Sequence, residues 1–263
     1  MEEQSKARGT QMSARFAGKV GIVTGAGSGI GKATIERFVA EGGTGIAVDI
    51  SVERLNQLKN EFEARHQKVV IVSGDITQHR TIDDIMRAAG DRIDILINNA
   101  GIMDDFVPLD ELEDELWDRV IEVNLTSVMK LSRTVIKQML QQGKGSIVTT
   151  SSGASFKSGI AGTAYTTSKH GLNGLIKSIA TIYGNRGIRS NGVAPGGTKT
   201  KIIDMTKPIR GQKTMELLGV NLANAPRTAE PEEVAACLLF LASDDASNVN
   251  GTILSSDGGW SAK

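Results

Sequence analysis

Tyr165 and Lys169 stand four positions apart in a stretch that reads as helix, so their side chains share one face. A phenol with a reference pKa of about 10 is a poor acid or base at neutral pH, but an ammonium and a second positive charge nearby stabilise its phenolate. The pair could then move a proton. By itself the spacing describes an ordinary helix tyrosine beside a solvated lysine. It does not stand alone, because Ser152 follows a β-branched apolar run upstream of it.

A second constellation lies near the start of the chain. The run Val20 to Thr24 leads directly into Thr24-Gly25-Ala26-Gly27-Ser28-Gly29-Ile30-Gly31 and then a helical pattern, the setting in which glycines let backbone N–H groups meet a pyrophosphate. A P-loop competes, because Gly31 and Lys32 resemble its end, but its first glycine would fall on Ala26 and its Ser/Thr on Ala33. GxGxxG begun at Gly25 ends on Ile30, whereas TGxxxGxG fits throughout; a purely structural turn is the alternative. Asp49 ends the second apolar run, 24 residues beyond Gly25, where an acid accepts hydrogen bonds from adenosine ribose hydroxyls and repels a 2′-phosphate. Ala26, Ser28, Ile50 and Ser51 add no base, so NAD is expected over NADP. The alternative for Asp49 is a surface acid at a strand end.

These groups need a scaffold. Apolar runs at Val20–Thr24, Gly45–Val48, Val69–Val72, Ile93–Ile97, Ser146–Thr149, Ser190–Val193 and Thr252–Leu254 alternate with helical segments. Near-continuous apolar runs suit parallel strands covered on both faces, so the expected fold is α/β, a doubly wound, seven-stranded parallel sheet of Rossmann type. The first helix is expected to stop at Gly42 and Gly43. Residues 1–17 carry charges of both signs without a signal-like apolar run and read as a flexible tail; residues 18–263 read as a single domain. With 40% apolar, 23% charged and 4% aromatic residues, and 30 glycines against 5 prolines, the composition excludes disordered, collagen-like and coiled-coil classes. Thirty basic residues balance thirty acidic ones, which argues against nucleic acid. No run is long enough for a membrane span, and cytoplasm is the expected compartment. The single cysteine, Cys237, sits in AACLLFLA and reads as a small core residue rather than a nucleophile.

Two charge clusters interrupt the balance. Eight acids without a base between Asp104 and Asp118 precede an amphipathic helix and read as a solvated face rather than a metal site, since no histidine is close. From Lys199 to Lys213 five bases accompany one acid in a segment with Pro208 and Gly211 that reads as a lid, its charge either solvated or attracting an acidic substrate group. Met103, Phe106, Phe156, Ile160, Ile202, Ile203 and Met205 flank the motifs as candidates for an apolar substrate cleft or for core. His170 reads as a packing or interface residue, and His66 and His79 lack ligand spacing, so no metal is expected.

Taken together, TGAGSGIG, NNAG at Asn98–Gly101, Asn124, the serine pair Ser151 and Ser152, YTTSK at Tyr165–Lys169 and PGGTKT at Pro195–Thr200 resemble the short-chain dehydrogenase/reductase superfamily in its short single-domain form, over Gly18 to Gly259. The resemblance implies catalysis by Asn124, Ser152, Tyr165 and Lys169. Tyr165 would exchange the substrate proton during hydride transfer between a secondary alcohol and NAD, Ser152 would hold the substrate oxygen, Lys169 would bind the nicotinamide ribose, and Asn124 would position a relay water. It also implies a cofactor set of Gly25, Ser28, Gly29, Ile30, Gly31, Asp49, Asp75, Ile76, Asn98, Ala100, Pro195 and Thr198 besides Tyr165 and Lys169; Asn98 has a purely structural alternative. A homotetramer acting on a small alcohol or ketone is implied as well. The alternatives are a 3-oxoacyl carrier-protein reductase, whose basic lid would meet an acidic partner, and a non-catalytic dinucleotide-binding sensor.

Overall fold

The apolar runs form strands β1 (Val20–Thr24), β2 (Thr44–Asp49), β3 (Val69–Ser73), β4 (Ile95–Asn98), β5 (Gly145–Thr150), β6 (Ile188–Pro195) and β7 (Ile253–Ser256). In the computed structural model, which describes residues 14–202 and 210–262, they make one seven-stranded sheet in the order β3-β2-β1-β4-β5-β6-β7. Every neighbouring pair is parallel, as expected. The run beginning at Ile93 joins the sheet only at Ile95. The Gln142 amide takes both backbone groups of Ile93, at 2.9 and 2.8 Å, and leaves nothing for the ladder.

Side chains alternate between the faces, so each strand feeds two cores. Val23, Ile97, Val148 and Val193 pack under α1 (Gly29–Ala40), α2 (Val52–Ala64) and α8 (Pro231–Ala242). Ile22, Leu96 and Ile147 pack under α3 (His79–Ala89), α5 (Ser127–Gln142) and α6 (Thr163–Tyr183). The remaining helices are α4 (Asp114–Ile121) and α7 (Gln212–Ala223). Helix α1 ends where expected, and Gly42 turns the chain at φ +93°, a conformation that side chains disfavour.

The expected tail through residue 17 is corrected at its inner end. Phe16 is buried against Phe38, with ring centroids 4.8 Å apart, and Arg15 pairs with Glu41 at 2.6 Å. The packed chain therefore begins before Gly18; the rest of the expected tail lies outside the described residues. Among the described residues, no helix is long and apolar enough to cross a membrane.

The strand order reverses between β1 and β4, and a parallel sheet opens a crevice beyond the strand ends at such a point. Asn99 holds this point together. Its backbone N–H bonds Thr24 Oγ1 at 3.0 Å, its amide donates to the Thr24 carbonyl at 3.1 Å, and its side-chain oxygen accepts from Thr150 Oγ1 at 3.1 Å, linking β1, β4 and β5.

Candidate active site

A cavity of about 880 Å³ lies at the ends of the strands, and its walls carry both constellations. At one end is the loop from β1 to α1. Gly25 takes φ +66° and Gly29 φ +51°, and a side chain on Gly31 would collide with the Gly25 carbonyl, so the loop and helix are pressed together. Gly25, Ser28 and Ile30 line the cavity; Gly29 and Gly31 shape the loop from behind. Helix α1 has no side-chain cap at Ser28 and no acid in its first turn, which leaves its leading N–H groups and positive dipole end for an anion. The loop therefore fits the pyrophosphate of a dinucleotide.

Asp49, at the end of β2, faces this loop. Its Oδ2 accepts from Gly27 N and its Oδ1 from Ser51 N, both at 2.9 Å, so the carboxylate also braces the glycine turn. Asp75 and Ile76 follow β3 on the same wall. Burial pushes the Asp75 carboxyl up, but hydrogen bonds from Thr77 and the Arg119 guanidinium outweigh it and hold it below the ordinary range. Ala100, Pro195 and Thr198 also line the cavity.

At the other end, Ser152, Tyr165 and Lys169 converge. Tyr165 lies in the first turn of α6 and Lys169 one turn further, with its Nζ 5.4 Å from the Tyr165 ring centroid. Lys169 Nζ donates to the Thr150 carbonyl at 3.0 Å. Burial alone pulls the ammonium down to about 8, because the charged form loses solvent. Contrary to the expected lowering by Lys169, burial pushes the Tyr165 phenol up to about 12; a Ser152 hydrogen bond opposes this and the Asp104 charge adds to it. Ser151 instead donates to Asn173 on α6 at 2.9 Å.

Two expected residues sit differently. Asn98 is buried away from the cavity, and its amide donates to Ser132 Oγ on α5 at 3.0 Å. Its side chain fills the structural alternative, while its neighbour Asn99 lines the wall. Asn124 is fully buried, and its amide clasps both backbone groups of Ile102 at 2.9 Å. These bonds fix the orientation of the side chain. The surrounding turn Glu122–Thr126 is a π-helix, a rare form that alters the backbone pairing of the helix. Asn124 joins the loop after β4 to Ser168 on α6, 3.2 Å away.

The charge clusters also divide. Asp104 is fully buried rather than part of a solvated face; three backbone N–H groups bond its carboxylate, yet burial outweighs them and holds the carboxyl above its ordinary range. The rest of that cluster is largely exposed, and Glu113 pairs with Arg210 at 2.9 Å. Lys199 pairs with Glu230, so among the described residues Lys199 and Arg210 are each met by one of this chain's own acids. Thr200, Lys201, Ile202 and Arg210 line the cavity mouth; Ile203, Met205 and Lys207 lie outside the described residues. Of the other cleft candidates, Met103 and Phe106 line the cavity, while Phe156 is exposed. His170 is exposed and bonded to its own helix, and Cys237 is half-buried against the core. Among the described residues, no acid, histidine or cysteine cluster could hold a metal.

Arg54 is among the cavity residues that the sequence reading does not single out. It lies one turn into α2, and its Cβ would be 2.9 Å from a Cβ on Gly27. Its sequence signal is a base five positions after Asp49.

With this geometry in place, the comparisons with known proteins are specific. The family model for short chain dehydrogenase matches residues 19–212. The chain is 38% identical over 252 residues to 3beta-hydroxysteroid dehydrogenase 2 of Eggerthella lenta, covering 94% of this chain and 96% of the relative. It is 40% identical over 250 residues to the 3-oxoacyl-acyl-carrier-protein reductase FabG of Thermotoga maritima, covering 93% and 98%. The crystal structure of levodione reductase superposes with a TM-score of 0.85 at 34% identity, covering 94% of this chain and 99% of that one. A candidate NAD(P) dependent gluconate 5-dehydrogenase of Beutenbergia cavernae, with NADP bound at low occupancy, superposes with a TM-score of 0.83 at 32% identity, covering 96% and 100%. The chain belongs to the short-chain dehydrogenase/reductase family of oxidoreductases, which bind a nicotinamide dinucleotide.

Proposed function

We propose that this protein interconverts a secondary alcohol and a ketone, with NAD(H) preferred over NADP(H). The observation that carries the reading is a single cavity with a phosphate-fitting glycine loop and Asp49 at one end, and Ser152, Tyr165 and Lys169 at the other. The dinucleotide supplies the hydride acceptor or donor. The chain's residues do the rest. Ser152 donates to the substrate oxygen, and the Tyr165 oxygen exchanges the hydroxyl proton. Lys169 holds a positive charge beside the phenol and binds ribose hydroxyls. Asn124 acts through position, by fixing Ile102 and α6. Met103, Phe106 and Ile202 offer the substrate an apolar wall.

NAD preference rests on Asp49, whose carboxylate opposes a 2′-phosphate, although Arg54 stands near enough to favour one. Comparing kcat/KM for the two cofactors at saturating substrate tests this, and an NADP preference refutes the role given to Asp49. The relative that reduces 3-oxoacyl carrier-protein substrates favours a second reading, in which the basic mouth meets an acidic carrier. The pairing of Arg210 and Lys199 with internal acids weighs against it. A sensor is disfavoured, because it has no use for a buried phenol beside a buried ammonium. NADH absorbance during a screen of alcohols, ketones and carrier-bound substrates separates the three.

A cytoplasmic homotetramer completes the proposal. Edge strand β7 exposes Leu254 and helix α8 exposes Phe240, apolar groups suited to a subunit contact. Light scattering that reports a monomer at micromolar concentration refutes this part.

A further inference from the structure

Helix α6 begins after Gly162, an N-cap with no side chain to meet the free amides of the first turn. Two of those amides, of Thr163 and Tyr165, are paired nonetheless. Fully buried Asp104, from the loop after β4, accepts from Gly162 N through Oδ1 at 3.2 Å and from Tyr165 N through Oδ2 at 2.8 Å. Val107 O of the same loop accepts from Thr163 N at 3.3 Å. A capping side chain ordinarily bonds the second or third helical amide, and Tyr165 supplies the third, so a carboxylate distant in sequence fills the capping role. Gly162 makes room, since a Cβ there would lie 2.5 Å from either carboxylate oxygen.

The loop accepts strain to do this. Asp105 and Phe106 hold φ of +51° and +59°, and Asp104 Oδ1 accepts from Phe106 N at 3.2 Å. On its far side the Asp105 carbonyl accepts from Gly211 N at 3.0 Å, where the chain returns from the mouth segment.

We propose that Asp104 is a positioning residue for Tyr165, setting through the first turn of α6 where the phenol stands relative to Ser152 and Lys169. The inference rests on the reading of Tyr165 as the proton-transfer residue. Electrostatics points the same way. A negative charge at a helix N-terminus opposes the positive dipole end that would otherwise favour phenolate at the third position. After burial, which is the larger cause, the Asp104 charge holds the phenol up, against the Ser152 hydrogen bond. The groups facing Tyr165 are Ser152 from the segment after β5, Lys169 on α6 and Asp104 from the loop after β4; Asp105 and Arg210 share the cavity wall. A helix cap with no part in the reaction would leave the proton affinity and turnover indifferent to a neutral substitute.

The chain has two tyrosines, so Tyr183→Phe leaves Tyr165 as its only phenol. Ultraviolet difference titration of tyrosinate then reads Tyr165 without substrate or cofactor. Adding Asp104→Asn, which keeps the volume and one acceptor, is expected to move this titration to lower pH by about one unit. Coincident curves overturn the proposal. In alcohol oxidation, Asp104→Ala is expected to lower kcat about a hundredfold with NADH affinity nearly unchanged, and Asp104→Asn less. Wild-type kcat in Asp104→Asn also overturns the proposal, and this variant decides the matter should the alanine variant not fold. If the unmodified protein oxidises no alcohol, the functional reading fails separately, and the tyrosinate titration still judges Asp104.

Discussion

Where the strands begin, charges are held in pairs, some buried and some exposed. Glu41 lies between Arg15 at 2.6 Å and Arg37 at 2.8 Å. Asp244 meets Lys144 at 2.9 Å and Lys19 at 3.6 Å, and Arg189 donates to the carbonyls of Leu241, Ala242, Ser243 and Val249. Where the strands end, Lys169 is 3% exposed and bonded to a neutral carbonyl, beside a buried phenol and two consecutive residues at positive φ. The consequence appears in the proton affinities. Burial pushes Glu41 up, but its two arginines more than reverse that, whereas burial alone carries Lys169 down to about 8. One end uses paired charge to hold the sheet, and the other leaves charge poorly solvated where a reaction can use it.

If that division is real, the two ends respond oppositely to substitution. Tyr165→Phe keeps the ring and removes the exchangeable proton, so kcat falls by about 10² to 10⁴ while the melting temperature hardly moves. Steady-state kinetics beside calorimetry checks both halves. Arg189→Ala does the reverse, removing four hydrogen-bond contacts at a cost of roughly 3 kcal/mol with little change in kcat, read by urea titration and by activity below the transition. Full stability in this variant would break the comparison from the structural side.

A smaller change sharpens the cofactor end. Asp49→Ser removes the carboxylate and leaves Arg54, so the NAD:NADP ratio of kcat/KM is expected to fall about a hundredfold. Adding Arg54→Ala should lower NADP use again. The smallest effect concerns Glu41→Gln, which should cost about 2 kcal/mol at neutral pH. Because the folded carboxyl is held below its ordinary 4.5, its contribution is complete above that pH and disappears as pH falls through the depressed value. Melting curves of wild type and variant should therefore converge only in acid. A gap that persists in strong acid would show that something other than carboxylate pairing is at work.

The sheet was legible because strands buried on both faces are written as continuous apolar runs. The shared face of Tyr165 and Lys169 and the glycine loop were legible because local spacing carries their geometry, whereas Ser152 was singled out by family resemblance. The misreadings share one cause. Asp104 looked like its exposed neighbours, since the compensating amides come from Gly162 and Tyr165, far along the chain. Asn98 and Asn99 differ by one position, and only the turn of the strand end decides which faces the cavity. The partners of Asn124 on Ile102 become visible only once α6 and the β4 loop are packed together. Long-range hydrogen bonding of polar side chains is what periodicity does not encode.

Label transfer tests the central claim most directly. The protein is incubated with NAD and a panel of secondary alcohols deuterated at the carbinol carbon, and the reduced cofactor is recovered for mass analysis. The account predicts one deuterium in the recovered NADH with the unmodified protein and a rate at least a hundredfold lower with Tyr165→Phe. Equal transfer by the two proteins would contradict it.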